Sequence, residues 1–258
     1  MRLTFLGTGT SFGVPQVGCG CVVCRSDDPR DRRSRSGALL ESDGSTLLID
    51  TPPELRLQLL ARGVTDLSAV LYTHEHADHT AGIDDLRIFT VRRRAHLPVY
   101  GPPETLAMLT ANYRYIFDPA VTVYEGTSKP HLEPHELTPG VATEVAGVPV
   151  LPLAFPHGHL RVYGYRFGRL AYLTDVKEVG TPERAALQGL DVLVLNALWW
   201  RPHPTHLSID DAVALARELG ARRTFLTHLT HETAHADLAA RLPAGVEPAY
   251  DGLTVEVS

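Results

Sequence analysis

The segment Tyr72-Thr73-His74-Glu75-His76-Ala77-Asp78-His79 decides how this sequence is interpreted. It continues a short apolar run, Ala69–Thr73, of the kind that forms a buried strand. Directly after this strand the chain places three imidazoles and a carboxylate within six residues. Because residues two apart on an extended chain lie on the same side, His74 and His76 can bind one ion together.

Asp78 and His79 fall on the turn that follows and can face a second ion. Imidazole and carboxylate groups together suit zinc, manganese or iron. The alternative is a polar, histidine-rich surface turn that binds nothing. Four ligand-type residues with the spacing His-x-His-x-Asp-His, immediately after an apolar strand, argue against that alternative. The segment therefore predicts a centre for two metal ions.

A second candidate metal site is the cluster of Cys19, Cys21 and Cys24. These are the only three cysteines of the chain, and an odd number at such tight spacing is incompatible with a disulfide framework. In a reducing compartment, neighbouring thiolates indicate a metal, and a closed tetrahedral zinc site needs a fourth ligand. The motif alone does not identify that ligand. The alternative is a set of small buried apolar side chains, which cysteine often imitates.

Length and composition limit the class of protein. The chain has 258 residues, of which 44% are hydrophobic and 21% charged, so extensive disorder is excluded. Its formal net charge of −6 argues against a protein that coats nucleic acid, and we expect no stable nucleic-acid binding. No apolar run reaches the roughly 18 residues of a membrane span, and the first residues lack a signal-peptide pattern. We therefore expect a cytoplasmic protein without a membrane partner.

Apolar runs of four to seven residues recur along the chain and predict strands. The clearest are Arg2–Leu6, Thr46–Ile49, Ala69–Thr73, Val148–Leu153, Leu170–Thr174, Val192–Leu195 and Arg223–Thr227. Helices are predicted at Pro53–Arg62, Thr181–Leu187 and Ser208–Leu219, the last with Ser208 as its N-cap. The proline-rich residues 118–140 are expected to be irregular. Since there is no repeat and no long linker, residues 1–258 are predicted to form one α/β domain.

The spacing His74-x-His76-x-Asp78-His79 resembles the signature of the metallo-β-lactamase-fold superfamily of dinuclear hydrolases. The resemblance implies a four-layer αββα sandwich with its metal site at one edge of the two sheets. It also implies three further ligands: a His after a mid-chain strand, a bridging Asp that ends a later strand, and a His after a C-terminal strand. The counterparts in this chain are His157, Asp175 and His228.

Each of these late ligands has an alternative. His159 competes with His157, which we prefer because it directly follows the strand. Asp175 could instead be a helix cap or a solvated turn residue, and His228 could be a core histidine. By the resemblance, one ion takes His74, His76 and His157, the other takes Asp78, His79 and His228, and Asp175 bridges both.

The residues Leu6–Pro15, followed by Cys19-x-Cys21-x-x-Cys24, resemble the opening of the phosphoribosyl cyclic phosphodiesterases of the PhnP type. The similarity extends over nearly the whole chain, through Tyr100–Pro103 and Ala249–Leu253. In that subfamily the fourth ligand of a structural zinc is a His three residues after the last catalytic ligand, which is His231 here. Residues 157–161 match less closely, so the substrate pocket is expected to differ.

His206, just ahead of a predicted helix, is a further candidate. In the subfamily a His at the corresponding place lies over the metal centre and assists cleavage, so His206 is the candidate general acid, with Asp78 as the second catalytic residue. The alternatives are a role for His203 and an exposed loop position for His206. The candidates for holding a distal phosphate are Arg161, Arg166 and Arg201.

The resemblance implies hydrolysis of a cyclic or small phosphodiester by a hydroxide that two zinc or manganese ions bridge, with one structural zinc elsewhere. The enzymatic alternatives are an RNA-processing nuclease of the tRNase Z kind, whose RNA-binding arm has no counterpart in the sequence, and a thioester or lactone hydrolase. A zinc-stabilised binding protein is the non-enzymatic alternative, although all seven dinuclear ligands are present. The sequence leaves open the natural substrate and whether the chain forms a homodimer.

Overall fold

Two seven-stranded β-sheets pack face to face, and helices cover the outer face of each. The computed structural model describes residues 1–257. The strands are β1 (Arg2–Gly7), β2 (Gly37–Ser42), β3 (Ser45–Ile49), β4 (Ala69–Leu71), β5 (Leu97–Gly101), β6 (Leu132–Glu136), β7 (Thr143–Val145), β8 (Val148–His157), β9 (Leu160–Phe167), β10 (Leu170–Leu173), β11 (Val192–Asn196), β12 (Arg223–Thr227), β13 (Val246–Pro248) and β14 (Thr254–Glu256). The helices are α1 (Leu55–Ala61), α2 (Ala77–Thr80), α3 (Arg87–Arg93), α4 (Pro103–Asn112), α5 (Arg114–Phe117), α6 (Thr181–Ala186), α7 (Ile209–Leu219) and α8 (His235–Arg241), with 3₁₀ turns at Pro29–Asp31 and Ile83–Leu86.

Each sheet combines an antiparallel part with a parallel part. In the first sheet, ordered β14-β1-β2-β3-β4-β5-β6, the pairs from β3 to β6 are parallel. In the second, ordered β13-β12-β11-β10-β9-β8-β7, the pairs from β10 to β13 are parallel. Ligands typically bind beyond the carboxyl ends of parallel strands. The residues that follow β4, β10 and β12 meet at such an edge.

Apolar side chains buried between the sheets form the central core. The largest fully buried ones include Phe5, Tyr165, Phe167 and Phe225. Two further apolar clusters fill the space between each sheet and its own helices. Removing this surface from water is the main favourable contribution to folding. The resulting layers, helix, sheet, sheet and helix, confirm the predicted αββα sandwich.

The predicted elements are present with shifted ends. All seven predicted strands and all three predicted helices occur, and α7 begins after Ser208, whose hydroxyl accepts a hydrogen bond from the amide of Asp211. The expectation for residues 118–140 was wrong in part, because they contain β6. Pro134 is tolerated within β6 because this strand lies at the edge of the first sheet. A single domain over residues 1–258 stays a prediction.

Among residues 1–257, no helix combines the length and apolar character that crossing a membrane requires.

Candidate metal centres

Four strand ends and one helical turn bring the seven predicted dinuclear ligands together. His74 follows β4, His157 ends β8, Asp175 follows β10 and His228 directly follows β12. The helical turn is α2, which His76 precedes and which carries Asp78 and His79. The side chains of His74, His79 and Asp175 are buried. The rigid sheet edge, rather than a flexible loop, therefore positions most of this centre.

His74, His76 and His157 form one group of ligand type, whose ligand atoms all lie within 4.8 Å of one another. Nε2 of His74 is 3.0 Å from Nδ1 of His76. Nδ1 of His157 lies 3.1 Å from the backbone carbonyl of Thr205, which leaves Nε2 available as a ligand. His159, the alternative to His157, is exposed and belongs to none of the ligand groups found among residues 1–257.

Asp78, His79 and His228 form a second group. Oδ2 of Asp78 is 3.5 Å from Nε2 of His79 and 3.8 Å from Nε2 of His228. Asp175 contacts the same two nitrogens at 3.3 Å and 3.2 Å through its two carboxylate oxygens. Asp175 also groups with His74 of the first set. Its carboxylate therefore lies where a ligand shared by two ions would have to be.

Unpaired buried nitrogens show that this set of side chains suits cations. Nε2 of His79 and both ring nitrogens of His228 are buried without a hydrogen-bond partner among the described residues. Leaving such an atom unpaired costs about 1–3 kcal/mol, so buried polar atoms in proteins are nearly always satisfied. Imidazole nitrogens combined with carboxylate oxygens are the donors that zinc and manganese accept. The residues therefore fit divalent ions.

The backbone is left-handed at three residues that follow strands at this edge. The angle φ is 63° at Asp50, 59° at Asp175 and 57° at His228. A residue other than glycine adopts this conformation at a cost of about 1–2 kcal/mol. Such conformations persist only where the surrounding contacts hold them, and they concentrate at functional sites.

Asp50 belongs to the centre although the sequence analysis did not select it. Its Oδ2 lies 2.7 Å from Nδ1 of His79, and its oxygens accept hydrogen bonds from the amide and hydroxyl of Thr73, both at 2.8 Å. Burial raises the pKa of Asp50. By binding Nδ1, Asp50 orients His79 so that Nε2 faces the centre. The available signal was an Asp directly after the predicted strand Thr46–Ile49.

Asn196 was also missed. It ends β11, is fully buried, and its side chain accepts a hydrogen bond from the amide of Val176 at 2.7 Å and donates one to the carbonyl of Val176 at 3.1 Å. Because Val176 directly follows Asp175, this pair of hydrogen bonds fixes the turn that orients the carboxylate of Asp175. The signal in the sequence was one amide at the end of an otherwise apolar strand.

Neighbouring charges shift the pKa values inside the centre. Burial opposes a charge on His79, but the carboxylates around it, led by Asp175 and Asp50, outweigh burial and raise its pKa well above the ordinary value. Burial also opposes a charge on Asp175, but His228 and His79 outweigh it and lower the pKa of that carboxyl. Both shifts favour a positive charge among these carboxylates.

His206 lies against the centre. Its Nε2 is 2.9 Å from Oδ1 of Asp175, and its ring stacks on that of His228 with centroids 5.0 Å apart. Its Nδ1 is 2.9 Å from the hydroxyl of Thr205. Burial lowers the pKa of His206, and the hydrogen bond with Asp175 offsets part of that effect. His203, the alternative, contacts His206 at 3.1 Å between their Nδ1 atoms.

The three candidate arginines have different surroundings. Arg166 donates to the backbone carbonyls of Gly168 and Ala186, so its guanidinium has an assigned structural partner. Arg201 forms an ion pair with Glu232 at 2.5 Å. Arg161 is exposed.

The cysteine cluster forms a separate centre with His231. The Sγ atoms of Cys19, Cys21 and Cys24 lie 3.3, 3.4 and 3.4 Å from Nδ1 of His231. Zinc bonds of about 2.0–2.3 Å give a tetrahedron with edges of roughly 3.5 Å, so the four atoms fit one zinc ion. A hydrogen bond from the amide of Cys24 lowers the pKa of Cys21 to about 6, whereas burial raises the pKa of Cys24 to about 11.

Backbone hydrogen bonds join the cysteine-bearing loop to the other centre. Leu229 lies between His228 and His231 in the sequence. Its amide donates to the carbonyl of Thr8 at 2.9 Å, and its carbonyl accepts from the amide of Thr10 at 3.3 Å. One short segment thus carries a ligand-type imidazole for each centre and pairs with the start of the loop that holds the cysteines.

A buried polar network supports the same loop from beneath. The guanidinium of Arg33 is buried and donates to the hydroxyl of Thr8 at 2.8 Å and to the carbonyl of Ala249 at 2.5 Å. It also contacts Nδ1 of His235 at 3.3 Å. Burial and the adjacent charge of Arg33 lower the pKa of His235 to about 4.

The chain was compared with known protein families and proteins. The model of the family described as "Beta-lactamase superfamily domain" matches residues 45–229. Ribonuclease Z of Mycobacterium sp. (strain KMS) is 32% identical over 262 residues, which cover 95% of this chain and 82% of that protein. Octanoyltransferase of Porphyromonas gingivalis (strain ATCC BAA-308 / W83) is 40% identical over 256 residues, 98% of this chain. This chain spans only 51% of that longer relative.

Among solved structures, one described as a new diphosphatase from the PhnP family has a TM-score of 0.91 and 40% sequence identity. The match covers 100% of this chain and 98% of that one.

Proposed function

We propose that this chain, which belongs to the β-lactamase superfamily, is a metal-dependent phosphodiesterase. Its substrate is a cyclic or small phosphodiester. The observation that carries the proposal is the convergence of seven ligand-type side chains at one sheet edge, with unpaired buried nitrogens on His79 and His228. His206 lies beside this convergence, 2.9 Å from Asp175. A binding protein would have no need of such a set.

We propose two divalent ions, zinc or manganese, at this edge and one structural zinc at the cysteines. When bound, the pair of ions polarises a phosphoryl oxygen and brings the pKa of a water molecule towards neutrality. His74, His76 and His157 would hold one ion and Asp78, His79 and His228 the other, with Asp175 between the two groups. A cytoplasmic location suits three cysteines that must stay reduced.

Two side chains of the site can move protons. Asp78, whose carboxylate is only partly buried, can accept the proton that the attacking water loses. His206, in its protonated imidazolium form, carries a proton on Nε2, the nitrogen that faces the centre and lies 2.9 Å from Asp175. From there it can donate to the oxygen that leaves phosphorus. Thr205 accepts or donates at Nδ1 and so helps to hold the ring in place.

The relatives support a substrate in which phosphorus carries two oxygen-linked substituents. A phosphodiester and a substituted diphosphate share that arrangement, so the diphosphatase neighbour is consistent with the same attack. The relative named Ribonuclease Z favours an RNA phosphodiester as the alternative within the same chemistry.

Metal analysis combined with a bis(p-nitrophenyl) phosphate assay tests the proposal. We expect about three ions per chain in the native protein and about one in Asp175→Ala, with turnover reduced at least about a thousandfold in the variant. Asp210→Ala is the matched control, since Asp210 is exposed in the first turn of α7. A native protein with three ions that cleaves neither phosphodiesters nor diphosphates would contradict the assigned substrate class.

Acyl thioester hydrolysis is the second candidate function. It is favoured by one observation, the 40% identity to a relative named Octanoyltransferase, of which this chain spans about half. The same assay run with an octanoyl thioester separates the two candidates. Turnover of the thioester that exceeds turnover of every phosphate ester tested would favour acyl chemistry.

A further inference from the structure

The loop that carries His206 contains neither helix nor strand. It joins β11 to α7 over residues 197–207, and we call it the His206 loop. On its inner side, the carbonyl of Thr205 lies 3.1 Å from Nδ1 of His157. In the described part of the chain, no hydrogen bond between backbone groups reaches residues 200–204. Side chains must therefore hold the outer part of the loop.

A continuous line of contacts leads from the protein surface to His206. The guanidinium of Arg201 pairs with Glu232 at 2.5 Å and lies 4.3 Å from the centroid of the ring of Trp199. The ring of His203 meets Trp199 edge-on, with centroids 5.2 Å apart. Nδ1 of His203 is in turn 3.1 Å from Nδ1 of His206. Each side chain in this line restricts the position of the next.

Trp200 gives the His206 loop a second point of attachment. Its Nε1 donates a hydrogen bond to the hydroxyl of Thr233 at 3.0 Å, and the guanidinium of Arg241 lies 3.7 Å from the centroid of its ring. Glu232 and Thr233 directly follow His231, the ligand-type imidazole of the cysteine centre. The segment that carries His231 therefore holds the His206 loop through two adjacent side chains.

These contacts matter more for geometry than for stability. The side chains of Arg201 and Glu232 are 60% and 30% exposed, and ion pairs of this kind stabilise a fold very little. A catalytic group that is displaced by about 1 Å, in contrast, can lose about a hundredfold in rate. The same pairing occupies the guanidinium of Arg201, which the sequence analysis considered for binding a distal phosphate.

We propose that Arg201 and Trp200 are positioning residues that hold the imidazole of His206 in place, with Glu232 and Thr233 as their anchor. The segment of the cysteine centre thereby also orients the proton donor of the other centre. The role of His206 in cleavage rests on the proposed function, whereas the placement of the loop can be measured without turnover.

Quenching of tryptophan fluorescence by acrylamide tests the placement of the loop. Trp199 and Trp200 are the only tryptophans of the chain, so the emission comes from this loop alone. In the double variant Glu232→Ala/Thr233→Val we expect the quenching constant to rise by about twofold or more, because the loop loses both anchors and opens more often. A quenching constant that stays at the native value overturns the proposal.

Glu247→Ala is the matched control. Glu247 pairs with Arg223 at 3.2 Å, and that guanidinium lies 4.7 Å from the centroid of the ring of Phe225. This arrangement repeats the exposed ion pair beside an aromatic ring, but at the start of β12, away from the His206 loop. The control should keep the native quenching constant. A rise equal to that of the double variant would show that the anchor has no specific effect, and would contradict the proposal.

Turnover of two phosphodiesters tests whether the loop orients His206. Bis(p-nitrophenyl) phosphate releases nitrophenolate, which departs without a proton, whereas a 2′,3′-cyclic nucleotide releases an alkoxide that needs one. Glu232→Ala/Thr233→Val should lower kcat for the cyclic nucleotide by about tenfold, change kcat for the other ester less than about twofold and leave KM unchanged. Metal analysis of the same samples shows that the ions are retained.

The outcomes separate this proposal from the proposed function. Equal losses for both esters, or no loss in a variant whose quenching has risen, would overturn the positioning role. A native protein that cleaves neither ester contradicts the proposed function, and the quenching constants then decide whether the anchor holds the loop.

A double-mutant cycle tests the ion pair itself. Arg201→Gln and Glu232→Gln should each raise the quenching constant, and the double variant should have no larger effect than either single variant, since both remove the same contact. Circular dichroism of each variant shows whether the fold is kept. Effects that add would mean that Arg201 acts independently of Glu232, and the assigned anchor would be wrong.

Discussion

The two candidate metal centres are built in opposite ways. The His/Asp centre lies at the carboxyl ends of strands, with His74, His79 and Asp175 buried and oriented by neighbours such as Asp50. The cysteine centre lies in a loop whose only regular element between β1 and β2 is the 3₁₀ turn Pro29–Asp31, and its four ligands are partly exposed. The comparison indicates that the fold shapes the first centre, whereas the second would depend on the proposed zinc for its shape.

The two centres should therefore contribute differently to the stability of the fold. At the sheet edge the left-handed residues Asp50, Asp175 and His228 are buried among the surrounding strands. At the cysteines the same role would fall to the bonds of the proposed zinc, because no residue of Cys19–Cys24 belongs to the apolar core clusters. Loss of zinc should therefore reduce stability, and loss of the other ions should mainly reduce activity.

The largest effect should come from Cys21→Ser. Structural zinc in small domains contributes on the order of 10 kcal/mol, so losing it should lower Tm by roughly 10 °C or more and expose residues 8–36 to protease. His76→Ala removes an exposed ligand of the other centre and should leave Tm nearly unchanged. Thermal denaturation and limited proteolysis measure both. Equal losses of Tm in the two variants would contradict the claim that the cysteine centre contributes more to stability than the sheet-edge centre.

Asp50→Asn should affect only the sheet-edge centre. Removing a partner of this kind typically costs about 10–100-fold in metal affinity or activity, because the ligand imidazole is no longer oriented. The zinc at the cysteines should remain, as a thiol-reactive release assay would show. Asp43→Asn is the matched control, since Asp43 is also left-handed, with φ of 49°, but lies in an exposed turn. Zinc lost from the cysteines in Asp50→Asn would show that the centres are not independent.

Two substitutions of Asn196 test how strongly its hydrogen bonds orient the carboxylate of Asp175. Asn196→Asp keeps the hydrogen bond from the amide of Val176 and loses the one to its carbonyl, whereas Asn196→Leu loses both. We expect about a tenfold loss of kcat in the Leu variant and a smaller loss in the Asp variant, with little change in KM. The absorption spectrum of the cobalt-substituted protein reports the same displacement without turnover. Equal losses in both variants would mean that Asn196 serves packing alone.

The smallest effect concerns pH and the loop beside the cysteines. The pKa of His235 is lowered to about 4, so below about pH 6.5 the unfolded chain binds a proton that the folded chain does not. Stability should therefore fall as the pH drops from about 6.5 to 4, by roughly 1 kcal/mol once solvent screening is allowed for. His235→Asn should flatten this part of the curve in urea denaturation. If the difference in stability between the native protein and His235→Asn stays constant from pH 6.5 to 4, His235 is not the cause of this pH dependence.

The sequence predicted the sandwich, and the ligand-type residues it selected lie together in the structure, for a physical reason. Strands with apolar faces and histidines directly after them are local patterns, and the sheet brings strand ends together. Asp50 and Asn196 were not predicted because their partners, His79 on α2 and Val176 after β10, lie 29 and 20 positions away in the sequence. The edge strand β6 was missed because prolines normally mark loops, and only its position at the sheet edge makes Pro134 acceptable.

The pairing of Cys19 with His231 also sets an order of events during synthesis. The two residues are 212 positions apart, and β1 pairs with β14, the last strand of the chain. A nascent chain therefore emerges with three thiolates, and with β1 paired to β2 on one side only, long before His231 and β14 exist. Zinc capture by the complete ligand set and pairing of the other edge of β1 therefore require residues 231 and 254–256 to have left the ribosome. A chain truncated before residue 231 would lack both, and would keep three free thiols and one free edge of β1.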